Sequence, residues 1–423
     1  MHKSVKQKVP ADYIILLCIC FSMVIAAFVL DTPARILEGY YRISTSRSVF
    51  ITDYIALGGI GAALLNAAVS GIFYLVLLIA KKIQPTGKVI FALFLTIGFS
   101  LFGKNLFNML PIFFGVWIYA KIRKKRLLNY IVQAMISGTV APVVSEIAFL
   151  DESTSLIKII AACAVGLFIG VIFPVIIKAA KRMHRGYCLY NGGVAGGFIA
   201  TFFFGLFRSL GIEILPEYYW DTEHTVFLAF FTYALAMALI LYGIIVDKPA
   251  NAFRKFRQLI KEKDIKNNDY LTKYGTTCYI NIGVMCVVST STILFLNIPI
   301  NGPVLGAILT VVGFAAAGKH MGNAIPVLIG SIIAAYLNYP AMDSPNNALA
   351  ILFSTGLAPI AGKHGWHWGI VAGFIHVSLA HIMGDINGGL NLYNNGFAGG
   401  FVSITIVPVI VFFKELFRKH KPL

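Results

Sequence analysis

The sequence predicts an all-α, polytopic membrane protein, with about fourteen hydrophobic segments in two inverted-topology repeats and with interrupted or re-entrant helices. Three observations carry this. Of 423 residues, 58% are hydrophobic and only 13% charged, and the mean hydropathy is +0.79. Long apolar runs recur along the chain, each near the ~20 residues that a helix needs to cross the hydrocarbon core, and no amphipathic helices are present to cover a soluble core. The chain also repeats itself: residues 189–198 read LYNGGVAGGF and residues 392–401 read LYNNGFAGGF, identical at eight of ten positions.

The segments fall at residues 13–30, 54–80, 89–102, 106–120, 127–150, 156–179, 189–206, 226–246, 278–296, 304–318, 321–337, 347–360, 368–383 and 392–413. The one long polar stretch, rich in lysine and arginine, divides them. The first half, 1–246, holds a leading helix at 13–30, repeat one at 54–206 and a spacer helix at 226–246. A basic cytoplasmic linker at 247–277 joins it to the second half, 278–423, which is repeat two. Gly87, Gly98, Phe99, Gly103, Lys104, Asn108, Pro111 and Gly115 match Gly302, Gly313, Phe314, Gly318, Lys319, Asn323, Pro326 and Gly330 without a gap. Ser137 with Ala141-Pro142 then matches Ser354 with Ala358-Pro359, and the Tyr-Asn element closes each unit. Three blocks in one order mark an internal duplication.

Lysine and arginine placement sets orientation, because short cytoplasmic loops collect these residues. First-half loops around Lys81–Lys88, Lys121–Arg126 and Lys178–Arg185 are heavily basic, whereas their counterparts at 297–302, 338–346 and 384–389 carry no lysine or arginine. The remaining pair contrasts the other way, with Lys363 facing the acidic 151–155 loop. The bias flips, which predicts opposite orientations with both termini cytoplasmic in the inner (cell) membrane. Arg35, Arg42 and Arg47 fall in an external loop, the one departure from the rule. The basic start and apolar run at 13–30 lack a following A-x-A site and read as a retained first helix. A net charge of +17 is accounted for by cytoplasmic loops and implies no nucleic-acid partner.

Inverted repeats place a solute site near the midplane, where interrupted helices meet. Tyr190, Asn191, Tyr393 and Asn394 are candidate solute contacts, since polar groups entering an apolar run are costly unless paired or facing a cavity; alternatively the asparagines only cap helices while the glycines permit tight packing. Lys104 and Lys319 interrupt apolar sequence at equivalent places and could attract an anion, or could snorkel to the interface. Asn108 and Asn323 lie one helical turn on. Pro142 and Pro359 would break or kink their segments. Glu146, Lys363, His376, His381 and Asp385 are candidates for ion or proton coupling, with His364 and His367 close by in sequence.

The histidine group with Asp385 supports a rival reading, a membrane-embedded histidine- or metal-dependent enzyme, and a third is a binding or scaffold subunit of a membrane complex. The spacing assigns no metal and no cofactor. Six cysteines (Cys18, Cys20, Cys163, Cys188, Cys278, Cys286) sit in or beside apolar segments and read as small apolar residues. No phosphate loop, dinucleotide fingerprint, G-x-S-x-G or H-E-x-x-H occurs, so neither ATP-driven transport nor a common hydrolase chemistry is indicated.

In length, duplication and the closing Y-N-x-G-x-A-G-G-F element, the chain resembles an uncharacterised family of bacterial multi-pass membrane proteins, a domain of unknown function. That resemblance implies an inner-membrane location and no activity. GLNLYNNG at 389–396 and GYCLYNGG at 186–193 also look like the G-L-x-G-Y-N element of bacterial urea transporters, which implies a passive central pore touching Tyr190, Asn191, Tyr393 and Asn394. The proline- and threonine-containing signature of those transporters is missing. The expectation is therefore a transporter or channel for a small polar solute, embedded in the lipid bilayer, with small-residue helix faces suited to a homo-oligomer.

Overall fold

The computed structural model describes residues 9–150, 154–263, 268–338 and 342–419. Both chain ends, and the parts of the expected 151–155 and 338–346 loops at 151–153 and 339–341, lie outside these residues. The described chain is almost wholly α-helical; its only sheet is two short parallel strands, Ile51–Thr52 against Tyr218–Tyr219.

Among the described residues, nine helices are long and apolar enough to cross a membrane: Ala11–Leu30, Ile60–Ala80, Leu127–Phe149, Leu156–Met183, Asn191–Ser209, Thr225–Asp247, Thr277–Phe295, Trp366–Asn387 and Asn394–Leu416. Large apolar side chains on their outer faces are exposed, among them Ile25, Val29, Phe168, Phe230 and Phe412. A soluble monomer does not tolerate such a belt. This is a multi-pass membrane protein.

Five of the fourteen predicted segments fall short of that criterion. Gly87–Phe99, Leu106–Ile122, Gly302–Phe314 and Met321–Leu337 are apolar but shorter. At ~1.5 Å per residue, a 13-residue helix such as Gly87–Phe99 covers only ~20 Å of a ~30 Å hydrocarbon core. The fifth, at 347–360, is split into Pro345–Ser354 and Ala358–His364 by a 3-10 turn at Thr355–Leu357. Its counterpart splits likewise: Ile131–Ile136 and Ala141–Phe149 flank a 3-10 turn at Ser137–Val140. Pro142 and Pro359 each sit in the first turn of the second piece, where a missing N–H costs no helix bond.

The short helices Gly87–Phe99 and Gly302–Phe314 pack on each other in antiparallel register at the centre. A Cβ on Gly87 would lie 2.2 Å from the Ala316 carbonyl oxygen, one on Gly98 2.6 Å from that of Gly306, and one on Gly302 2.6 Å from that of Leu101. Each contact has its counterpart 215 positions away: Gly87 on Ala316 becomes Gly302 on Leu101, and Gly98 on Gly306 becomes Gly313 on Phe91. Contacts within each half correspond as well. Gly115 packs on Leu167 and Gly170 as Gly330 packs on Ile370, and Gly166 packs on Pro111 as Gly369 packs on Pro326.

Loops gather at two ends. At one, the Gly87 amide donates to Asp269, the Asn268 amide to the Ala317 carbonyl, and Tyr187 stacks on His364. This end also holds Lys81, Lys82, Arg185, Lys261, Lys263 and Lys273. At the other, Phe50 N–H donates to the Gly389 carbonyl, and Asp53 accepts from the amides of Ile55 and Asp221.

Candidate functional site

The glycine-rich elements that follow the two tyrosines start the helices Asn191–Ser209 and Asn394–Lys419. The two helices cross at their first turns. A Cβ on Gly193 would stand 2.7 Å from the Cα of Gly396, and one on Gly396 2.9 Å from the Cα of Gly193. Only glycine permits this approach. Next along the helices, Gly197 packs on Phe397 and Gly400 on Val194. The chain entering each crossing is held by the opposite broken segment: Leu189 N–H donates to the Gly356 carbonyl, and Leu392 N–H to that of Thr139.

This crossing brings Tyr190 and Tyr393 together, with ring centroids 4.7 Å apart. Both are fully buried, and Phe99 and Phe314 each stack edge-on against one ring, at 5.1 and 4.9 Å. Phe353 touches both rings. The Tyr190 hydroxyl accepts a 2.6 Å hydrogen bond from Lys319 Nζ, which also donates to Thr355 Oγ1 at 2.8 Å. The Tyr393 hydroxyl is buried and interacts with that of Tyr190, and Thr139 Oγ1 is buried with no hydrogen-bond partner among the described residues.

Both lysines are fully buried, so neither snorkels to a surface. Each follows a glycine with positive φ, Gly103 at 101° and Gly318 at 109°, a turn that redirects the chain after the short helix. Asn66 Nδ2 donates to the carbonyls of Ser100 and Lys104 at 2.6 and 2.8 Å, and Asn281 Nδ2 to those of Ala315 and Lys319, both at 2.8 Å. Asn108 and Asn323 each donate to the glycine carbonyl of the same turn, at 3.0 Å, and accept from the backbone N–H of Asn105 and His320. These two asparagines hold the turns; neither amide reaches the tyrosine pair by any hydrogen bond described.

The lysine side chains themselves differ. Lys104 Nζ contacts Thr96 Oγ1 at 3.3 Å and the Met135 carbonyl at 3.2 Å, with its chain lying against Gly138. Gly138 stands where the second half has Thr355, and Thr96 where it has Val311. The register of the central helices, with Gly87 beside Ala316 and Leu101 beside Gly302, puts the two lysine turns at opposite ends of that pair. A 13-residue helix separates them by ~20 Å along its axis.

The remaining candidates scatter. Asn191 donates weakly to its own Leu189 carbonyl, and Asn394 accepts from Asn387 at 2.6 Å. Glu146 is bound by Arg47 through two bonds of 3.0 and 2.8 Å, with Glu217 joining at 3.3 Å. Lys363 is exposed and forms no pair with Glu146. His376 is buried, with Nε2 on Asn395 Oδ1 at 3.2 Å, His381 meets Asn347 at 2.9 Å, and His364 meets Lys414 at 3.1 Å. Asp385 is exposed. The histidines do not converge, and among the described residues no three His, Cys, Asp or Glu side chains come close enough to share a metal. At the polar end of the fold, burial pushes His184 down to about 4.

The pairing of Arg47 with Glu146 was not legible from the sequence, since the partners are 99 residues apart. Asn66 and Asn281 were legible in principle: they sit at the 215-residue offset that relates Gly87 to Gly302.

The chain belongs to a family described as a protein of unknown function (DUF1576), whose model matches residues 32–209 and 248–412. The two matched parts leave out Ala11–Leu30 and Thr225–Asp247. These helices occupy corresponding places, the first packed on Ile60–Ala80 and the second on Thr277–Phe295. No curated protein and no solved structure gives a significant match to the chain.

Proposed function

We propose that this DUF1576 member is a transporter or channel for a small polar solute, built from two inverted-topology repeats that meet at the Tyr190–Tyr393 pair. The observation that carries the reading is the crossing itself. Elements about two hundred residues apart in sequence touch through equivalent atoms, Gly193 on Gly396 and Tyr190 on Tyr393. Inverted repeats meeting near the midplane are the common build of secondary transporters and channels. The reciprocal contacts and the antiparallel central helices support the inversion. The repeats then include the leading and spacer helices, which widens the sequence-based boundaries to one unit ending near Ser209 and a second beginning near Thr225.

Charge supports the inner membrane with both termini cytoplasmic. The lysine-rich loops share the end that carries the 268–274 segment. The opposite end pairs Arg47 with Glu146 and Glu217, and Arg42 with Glu38, so two of the three arginines that depart from the charge rule are held by carboxylates. The buried Thr139 hydroxyl has no partner among the described residues, and the Tyr393 hydroxyl meets only that of Tyr190, which is costly in an apolar setting. A polar solute passing the crossing would supply the missing bonds. The test is reconstitution of the full chain in liposomes with urea, glycerol, small anions and small cations as probes. Flux of one class that drops in Tyr190→Phe and Tyr393→Phe supports the reading; no flux of any class sinks it.

A further inference from the structure

Which solute the crossing accepts follows from a missing charge. Buried ionisable side chains among the described residues include the acids Asp53 and Glu146 and the cations Lys104 and Lys319. Both acids are occupied elsewhere. Glu146 is bound by Arg47, and Asp53 accepts from the amides of Ile55 and Asp221. Every described partner of the two lysine ammonium groups is neutral: Tyr190, Thr355, Thr96 and the Met135 carbonyl. Aromatic faces complete the surroundings, with Tyr190 and Phe314 at 4.8 and 5.7 Å from Lys319 Nζ and Tyr74 at 5.7 Å from Lys104 Nζ. A buried ammonium without a carboxylate is expensive, and an ionisable side chain turned to the interior of a membrane protein is by default a candidate for a functional site.

We infer that the solute is a small anion, and that Lys319 and Lys104 supply its countercharge at the two ends of the central helix pair. The inference rests on the transporter reading above and names the substrate class of that site. Lys319 and Tyr190, already bonded, form one binding step, with Thr355 as a further hydroxyl. Lys104 forms the other, with its chain against Gly138, next in sequence to Thr139, whose buried hydroxyl has no hydrogen-bond partner among the described residues. An anion moving between the lysines passes the tyrosine pair, where O–H groups can donate to it. The order of the groups sets the selectivity: donors and cations face the path, while the buried carboxylates, which would repel an anion, are held by other partners.

The experiment uses the full chain in liposomes, comparing chloride, nitrate and acetate with urea and glycerol. Wild-type selectivity needs no variant and is read first. The inference expects anions to pass and the neutral solutes to be excluded. It also expects Lys319→Gln and Lys104→Gln to slow anion flux by roughly ten- to a hundredfold, the loss for removing a charge-assisted hydrogen bond. Lys319→Arg, which keeps the charge, retains flux within about tenfold of wild type. Passage of urea or glycerol at a rate indifferent to both Gln variants overturns the anion inference and leaves the transporter reading standing. No passage of either class overturns the anion inference, and the transporter reading falls with it when small cations fail to pass as well. A Gln variant that fails to run as a single species on gel filtration is replaced by the wild-type selectivity and the Arg variant, which decide the matter alone.

Discussion

Gly193→Ala is the sharpest perturbation of the crossing. The new methyl would lie 2.7 Å from Gly396 Cα, 2.8 Å from the Tyr393 carbonyl oxygen and 3.0 Å from Tyr393 Cγ. Carbon atoms prefer ~3.5–4.0 Å, so the helices must part by ~1 Å. The opposing atoms include backbone and cannot rotate away, which puts the cost at the upper end of the ~1–3 kcal/mol for overpacking. Better helix propensity offsets it by up to ~1 kcal/mol, leaving a net loss of ~2–3 kcal/mol. Gly205 lies in the same helix with nothing within 4 Å of its would-be Cβ, so Gly205→Ala controls for propensity alone. Once the helices have parted, the second substitution costs little, and Gly193→Ala with Gly396→Ala should be less destabilising than the sum of the singles. The assay is the fraction of monodisperse protein remaining after graded heating in detergent. Gly193→Ala behaving like Gly205→Ala would refute the crossing, as would strict additivity of the pair.

Further outcomes follow from the paired asparagines and the buried ion pair. Asn281→Leu strips donors from the Ala315 and Lys319 carbonyls, and Asn66→Leu from those of Ser100 and Lys104. Two orphaned acceptors cost ~2–5 kcal/mol in either half, so the same heating assay should show two comparable losses; a neutral result at one site would break the equivalence of the turns. Arg47→Met leaves Glu146, only 1% exposed, without its partner. The loss should be ~3–5 kcal/mol, and Arg47→Met with Glu146→Met should recover much of it. A double variant no better than the single would mean that the pair is not the tie between the 45–50 loop and Ala141–Phe149.

Much of this architecture was legible because membrane residence and duplication are written in local sequence. Hydropathy marks each apolar segment, and the 215-residue offset between Gly87 and Gly302 survives without a gap. Segment count was not legible in the same way. Hydropathy averages over a window, and it cannot see that the 13-residue Gly302–Phe314 is shorter than a full span and ends before a glycine turn. The candidate residues were legible as polar groups, but their partners were not. Tyr190, Tyr393 and Lys319 were visible as polar groups in apolar runs, yet their meeting depends on the crossing angle of two helices, which no local pattern encodes. Asn108 and Asn323, equally visible, prove to bind the backbone of their own turns. The histidine cluster shows the limit from the other side: His364, His376 and His381 are near neighbours in sequence and bind Lys414, Asn395 and Asn347 separately.

The central claim, that the Tyr190–Tyr393 crossing lies on a solute path, is tested most directly by thiol accessibility. Single cysteines at positions 190 and 393, in a chain whose six native cysteines are replaced, would be exposed to small, membrane-impermeant thiol reagents in oriented vesicles. A site on the path reacts from the water phase, and the permeant anion of the flux assay slows the reaction at both positions. Two buried cysteines that stay unmodified in the folded protein, and react only after it is unfolded in detergent, would make the crossing a packing seam and contradict the account.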